Sequence, residues 1–260
     1  MTRLPFFQVD AFAERPLKGN PAAVMPLEHW LDDELMQAIA TENNLSETAF
    51  TVPSRGDEAD FELRWFTPAS EVELCGHATL AAGHVLMTGQ RVRFATKSGI
   101  LIVTRRGELL ELDMRAANLT EVQEPELCNA LGIAASPVWL ADGYNDAAII
   151  ELGDEAAVLA IEPDFAALKR IPRMAVVTAP GRIEDVVSRV FVPYLGIDED
   201  PVTGSAHAAL VRYWTNRLGR SAFTALQASA RRGVLHCRLE DDRAVLGGRC
   251  QTVIVGQFQL

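Results

Sequence analysis

The sequence predicts an α+β chain whose second half repeats the layout of its first. Short strand-patterned segments outnumber helical ones. Each half also carries one largely apolar helix behind a tight glycine-containing loop, at Cys75-Gly76-His77 and at Thr203-Gly204-Ser205. No Gly-x-Gly-x-x-Gly follows a strand, so a dinucleotide-binding βαβ sheet has no support.

In the first half, Phe6 to Phe12 reads as a strand closed by the turn residues between Pro16 and Pro21, and Ala22 to Met25 as a second. From Asp32 to Thr41, Leu35, Met36, Ile39 and Ala40 recur at helical spacing, with Asp32 placed to cap. Thr48 to Val52 and Phe61 to Phe66 are strands, the latter alternating Leu63 and Trp65 with Glu62 and Arg64. Ala78 to Met87 is apolar on nearly every side, the pattern of a buried helix. A meander follows through Val92 to Thr96, Leu101 to Arg105 and Leu109 to Met114.

Ala117 to Glu126 is polar and irregular and reads as the linker, which divides the chain into domains 1–116 and 117–260, the last strand returning to the first domain. The second half gives strands at Pro137 to Leu140 and Ala147 to Leu152, a helix at Asp164 to Lys169, and strands at Met174 to Thr178 and Val190 to Val192. A loop from Gly196 to Thr203 leads into an apolar helix, Gly204 to Leu218. Closing strands run through Leu235 to Leu239 and Val253 to Phe258.

The 260 residues are 48% hydrophobic and 23% charged, ordinary material for a chain that buries a large core. A formal net charge of −11, with no run of Lys and Arg, argues against nucleic acid. The start lacks a signal-peptide pattern, and no stretch reaches the roughly 18 apolar residues that span a bilayer. Cys75, Cys128, Cys237 and Cys250 are too scattered for a disulfide framework, and none forms a CxxC pair. The expectation is a cytoplasmic protein with reduced thiols and no metal. His29, His84, His207 and His236 have no metal-ligand spacing, and His84 reads as a packing residue.

Three segments carry chemistry. In the first, Gly76 lets the backbone approach a ligand, and the free amides at the helix start make an anion site. His77 lies in the first turn, where the dipole disfavours the imidazolium and leaves a neutral ring to hydrogen-bond a substrate. The same segment reads equally as a helix cap with a packed cysteine and a surface histidine. Cys75 is a nucleophile only if its thiol is acidified there. In the second, Asp198 to His207, Pro201 holds Asp200, while Thr203, Gly204 and Ser205 gather hydroxyls and amides before a second helix. Three acids ahead of a helix also read as dipole complement. In the third, Glu47 stands between a helix and a strand beside Leu45, Ala49 and Phe50. Apolar company favours a carboxylate's protonated form and suits a general acid or base, although a surface loop is the simpler reading of that segment alone.

Together these stretches resemble the PhzF (phenazine biosynthesis-like) family of the diaminopimelate-epimerase-like fold. The resemblance rests on Gln8 to Phe12, Gly19 to Val24, Asn44 to Phe50, Trp65 to Pro68, Glu73 to Leu80, Asp200 to His207 and Gly247-Gly248-Arg249. It implies two pseudo-symmetric domains, each a bent sheet around a central helix, with an interdomain active site and a homodimer. It also implies a cofactor-independent isomerase that shifts a proton on a small carboxylate substrate. Glu47 matches the acid/base. His77, Asp200, Ser205, the amides near Gly76 and Gly204, and Asn20 match substrate-holding positions. Related racemases place a cysteine at each helix start. Here the second position is Thr203, which has no acidic proton to trade at neutral pH, so a single-carboxylate shift is favoured over an epimerase that uses Cys75. The rival from another class is a binding protein that reuses the fold without turnover.

Overall fold

The computed structural model describes residues 2–143 and 147–260, which divide into two compact units. The first comprises Met1–Asp113 with Gly247–Leu260, and the second Met114–Leu246.

In the first unit, β1 (Arg3–Ala11), β2 (Asn20–Pro26), β3 (Glu47–Pro53), β4 (Phe61–Phe66), β5 (Glu71–Val72), β6 (Arg91–Thr96), β7 (Gly99–Arg106) and β8 (Leu109–Arg115) build one mixed sheet. The chain's last strand, β18 (Cys250–Gln259), pairs antiparallel with β1. From β18 inward the pairings run antiparallel to β1, antiparallel to β2, parallel to β3, antiparallel to β4, parallel to β6 and antiparallel to β7. Parallel neighbours need a crossover. One crossover is α1 (Asp33–Asn43), and the other is the loop and helix α2 (Gly76–Leu86).

In the second unit, β9 (Leu119–Val122), β10 (Val138–Ala141), β11 (Ala147–Glu151), β12 (Ala175–Pro180), β13 (Val186–Val192), β14 (Ile197–Glu199), β15 (Ala222–Gln227), β16 (Gly233–Glu240) and β17 (Arg243–Gly248) are joined by four helices. These are α3 (Pro125–Ala130), α4 (Glu155–Leu159), α5 (Phe165–Leu168) and α6 (Gly204–Leu218). From β9 to β16 the pairings again run antiparallel, antiparallel, parallel, antiparallel, parallel, antiparallel. The α4–α5 segment crosses between the first parallel pair and α6 between the second, in the places of α1 and α2. Short β14 lies on β13 as β5 lies on β4. The duplication extends to the order and sense of these six pairings, and each site loop opens the second crossover of its unit.

Both central helices are largely buried. Residues 76–83 of α2 are all buried, and Gly83 lets the helix lie against Val103 of β7, where a Cβ would sit 2.8 Å from that side chain. On the outer face of the first sheet, Met36 and Ile39 of α1 pack with Met25, Phe50 and Phe66, the two rings edge to face at 5.6 Å. In the second unit Trp214 of α6 is buried and donates Nε1–H to Thr178 Oγ1 at 3.0 Å. A separate layer of Leu127, Val158, Leu168, Val177 and Phe191 fills the space beneath α3 to α5.

Several sequence expectations fail here. Ala117 to Glu126 is no irregular linker. It contains β9, whose backbone polar groups are paired with β10 in the register Leu119 to Ala141, and α3 begins at Pro125. The loop before α6 contains β14. His84 is only partly buried, at the outer end of α2, with Nε2 3.0 Å from Thr252 Oγ1. It is not a packing residue.

Candidate functional site

The chain brings Asn20, Glu47, Cys75, Gly76 and His77 together in the first unit. Asn20 and Glu47 are the first residues of the parallel neighbours β2 and β3, with Glu47 opposite Ala22 in the register. Glu47 reaches that end of the sheet because α1 stops at Asn43. Asn44 then takes a left-handed conformation, φ 47°, and donates its N–H back to the Ala40 carbonyl, which reverses the chain.

Cys75 is the N-cap residue of α2, and Gly76 and His77 are its first two helical residues. The His77 ring stands between two partners. Its Nε2 lies 3.0 Å from Glu47 Oε2, and its Nδ1 lies 3.6 Å from Cys75 Sγ. The Asn20 side-chain amide is 3.4 Å from the same Nδ1, and Ser46 Oγ–H donates to Asn20 Oδ1 at 2.9 Å. The side chain of His77 is only 6% exposed and that of Glu47 17%. Despite their proximity, Glu47 Oε2 and His77 Nε2 are both buried and neither completes a hydrogen bond of normal geometry. The two atoms serve each other as a buried ion pair rather than through a well-directed hydrogen bond.

Burial opposes charge on His77, but the Cys75 sulfur and the Glu47 carboxylate at its two nitrogens outweigh it and hold the ring well above its usual range. Burial pushes the Cys75 thiol up, with the Glu47 charge adding to the effect. A thiol so raised is neutral near pH 7, which leaves the Glu47 carboxylate as the anion that supports the imidazolium. One expectation is therefore corrected, and the condition set for a nucleophilic Cys75 is not met. His77 is not kept neutral by its helix, because a dipole worth about 0.3–1 kcal/mol yields to a carboxylate in contact. Cys75 is not acidified, because desolvation wins over the helix start.

Glu47, Cys75 and His77 also place one oxygen, one sulfur and one nitrogen within 4.8 Å of one another, the only such donor group among the described residues. Sequence spacing missed it because Glu47 comes from a different strand.

In the second unit, Asp200, Gly204 and Ser205 gather at the start of α6. Thr203 is its N-cap residue, and Gly204 and Ser205 are its first two helical residues. The Thr203 hydroxyl donates to the Asp200 carboxylate. Buried Gln227 of β15, which sequence reasoning missed, clamps this turn. Its Oε1 accepts from Thr203 N–H and its Nε2 donates to the Asp200 carbonyl, both at 2.7 Å. Below the turn, fully buried His207 donates Nδ1–H to the Thr203 carbonyl at 2.8 Å, and Ser188 Oγ lies 3.4 Å from Nε2.

The two central helices share one electrostatic peculiarity. Neither has a side-chain N-cap hydrogen bond, and neither has an acidic residue in its first turn. Each of the other four α-helices has at least one of these: acids in α1, α3 and α4, and aspartate caps on α4 and α5. The amides and positive dipole ends at Gly76 and Gly204 are thus left without an anionic side chain in the first turn, the condition for binding an anion.

The family profile described as PhzC-PhzF, phenazine biosynthesis-like protein, matches residues 9–256. An uncharacterized isomerase of Pseudomonas aeruginosa is 51% identical over 99% of both chains. The crystal structure of a PhzF-family phenazine biosynthesis protein from Enterococcus faecalis superimposes over 100% of both chains, with a TM-score of 0.92 and 43% identity. A probable proline racemase from Agrobacterium radiobacter covers 99% of this chain and 93% of its own, with a TM-score of 0.65 and 13% identity, and shares the diaminopimelate-epimerase-like fold. The uncapped helix starts therefore sit in a known scaffold, and the chain belongs to the PhzC-PhzF family of phenazine biosynthesis-like proteins.

Proposed function

We propose that the chain is a cofactor-independent isomerase that moves a proton between carbons of a small carboxylate-bearing substrate, with Glu47 as the acid/base. The observation that carries this is the buried ion pair of Glu47 Oε2 and His77 Nε2, 3.0 Å apart. A largely buried carboxylate can accept a carbon-bound proton without first shedding a full shell of water. The imidazolium beside it stabilises the charge that develops on the substrate as that proton leaves. Glu47 then returns the proton to a second carbon, so one group serves as base and acid in turn.

In this reading each helix start is a place for an anionic group of a substrate. The amides at Gly76 and Gly204 take such groups, and His77, Asn20, Asp200 and Ser205 fix other polar atoms. A two-base racemase is disfavoured. Cys75 is a raised, buried thiol, and the corresponding Thr203 hydroxyl is already donated to Asp200. The chain is proposed to work as a cytoplasmic homodimer, following the family resemblance.

The test is proton exchange. The protein is incubated in D2O with a panel of small carboxylic acids that carry an activated C–H, and 1H NMR follows deuterium uptake. Glu47→Gln is expected to lower exchange by at least about 100-fold while leaving binding of the same acid within a few-fold. Exchange retained in Glu47→Gln would remove Glu47 from the chemistry. Binding without exchange in the wild type, across the whole panel, would favour the non-catalytic alternative.

A further inference from the structure

We propose that β18 is a self-association edge: two copies of the chain pair antiparallel through Ile254 to Phe258, about a two-fold axis at Gly256. This names the surface of the homodimer proposed above and rests on that part of the reading alone; the chemistry at Glu47 plays no part in it.

The edge of a sheet displays backbone N–H and C=O groups that template pairing with another chain. Strand β18 runs for ten residues, Cys250–Gln259, and among the described residues it pairs with β1 alone, so its other edge is open. Folded proteins blunt such an edge with Lys, Pro, bulges or shortness. Here the one such device is a bulge, where the register skips Val253 between the partners of Gln8 and Val9. Beyond it the ladder is regular from Ile254, opposite Gln8, to Gln259, opposite Arg3. That run spans about 20 Å. Ile254 is 47% exposed and Val255 69%, and successive strand residues point to opposite faces, so neither face of the strand is covered. A Cβ at Gly256 would meet nothing within 4 Å.

The chemistry of the strand selects the occupant. Residues 250–260 carry no Asp, Glu, Lys, Arg or His, in a chain that is 23% charged. At a formal net charge of −11, two copies repel wherever their acidic surfaces meet, and an uncharged strip is where that repulsion is least. A basic partner would be drawn to the acidic surface instead, and its charges would find no complement along this edge. The strand is also self-complementary. A two-fold axis through the sheet sets each residue opposite the one equally far from the axis in the other copy. With Gly256 on the axis, Ile254 of one copy faces Phe258 of the other, and Val255 faces Gln257. The pairing supplies two contacts of a β-branched residue with an aromatic one and sets no like charges together. It also closes at two copies, because each open edge is used up by the other.

The test is mass and cross-linking in solution, on untagged full-length protein. By light scattering the wild type should have twice the chain mass of 28.4 kDa. Ile254→Lys combined with Val255→Lys sets charges on both faces of the edge and should weaken the dimer at least about 100-fold. Ile183→Lys, at a side chain 92% exposed in the second unit, should leave it intact. In a Cys250→Ser background, Gly256→Cys should form a disulfide between copies under mild oxidation, since opposed residues of an antiparallel pair lie about 4.5–5.5 Å apart at Cα. Gln259→Cys should not, because its mate lies roughly 20 Å away in this register. Circular dichroism confirms that each variant is folded, and should the double lysine variant not fold, the two cysteine variants decide. A monomeric wild type would overturn the proposal and the homodimer together, leaving the edge to a different protein or to solvent. A dimer that survives the two lysines, or whose Gly256→Cys form does not cross-link, would keep the homodimer and sink this interface. Assembly that grows past two copies with concentration would overturn the two-fold pairing.

Discussion

Lowering the pH from 6.5 towards 4 should remove stability on the order of 3 kcal/mol through the His207 side chain alone. The residue is fully buried in α6. Burial depresses its ring from 6.5 to about 4, and the hydrogen bond to the Thr203 carbonyl only partly offsets this. The unfolded chain therefore takes up a proton near 6.5 that the folded chain refuses until about 4. Between those values the unfolded state binds more protons, so stability falls as pH falls. At about 1.4 kcal/mol per decade the window amounts to roughly 3 kcal/mol. His84, lowered from 6.5 by partial burial and then by the Arg105 charge, acts with the same sign just below 6.5, so the substitution below is what isolates His207. Glu71, drawn to about 2 chiefly by its hydrogen bond to Arg64, and Asp142, drawn to about 2 chiefly by Arg115, lose their contributions at lower pH. The raised His77 acts with the opposite sign and only above 6.5.

The assay is urea unfolding at pH 7 and at pH 4.5, followed by tryptophan fluorescence, on wild type and His207→Asn. Asparagine keeps a donor near the Thr203 carbonyl and cannot be protonated in this range. The variant should be weaker at pH 7 yet should lose about 2–3 kcal/mol less between the two pH values. An equal loss in both proteins would refute the assignment. Should the variant not fold, the His207 ring signals in a wild-type NMR titration settle it, because a midpoint near 6.5 contradicts the reasoning directly.

Two further outcomes test the geometry around the site. Gln227→Leu removes the amide that pairs Thr203 N–H and the Asp200 carbonyl, leaving two buried backbone groups unsatisfied. A loss of about 2–4 kcal/mol is expected in chemical denaturation, with anion affinity falling as the turn loosens; a loss below about 1 kcal/mol would mean water replaces the clamp. Gly19→Ala, just before Asn20, places a Cβ onto the Ala11 carbonyl at a φ of +66°. It should destabilise the first unit by at least about 2 kcal/mol, and an unchanged melting temperature would show that the turn can relax.

How much was legible in the sequence depends on what set each feature. The helix Gly204–Leu218 was read to both ends because its signals are local: a glycine entry, a continuous apolar run, and Gly219 in the left-handed position after it. Short β9 and β14 were not, because a polar segment of three or four residues becomes a strand only through its neighbour's hydrogen bonds. At the site, the two glycine loops were visible in the sequence. Glu47 was noticed for its apolar neighbours, but its segment alone read more simply as a surface loop and family resemblance was needed to favour it, since its partner His77 comes from another element. The charge state of His77 was misread for the same reason. Gln227 is a lone glutamine in a strand pattern, and nothing in its own segment marks it as the clamp of a turn far away in sequence.

The treatment of helix starts argues that the two loops were shaped by something other than stability. Asp154 and Asp164 each accept an amide hydrogen at the start of a short peripheral helix, at 2.8 and 2.9 Å, so capping is within this sequence's repertoire. At the two long central helices, where a cap would stabilise more structure, the N-cap residues are Cys75 and Thr203 and neither caps. Forgoing a good cap costs about 1 kcal/mol at each position. Thr203 could cap, yet its hydroxyl is turned to Asp200 and its amide is held by Gln227. Holding the natural capping side chain away from the helix is consistent with amides reserved for an external anion. A chain that merely needed stable helices would have no use for the clamp. Deviation from local rules is concentrated at both entrances of a duplicated fold, where function rather than folding sets the residue.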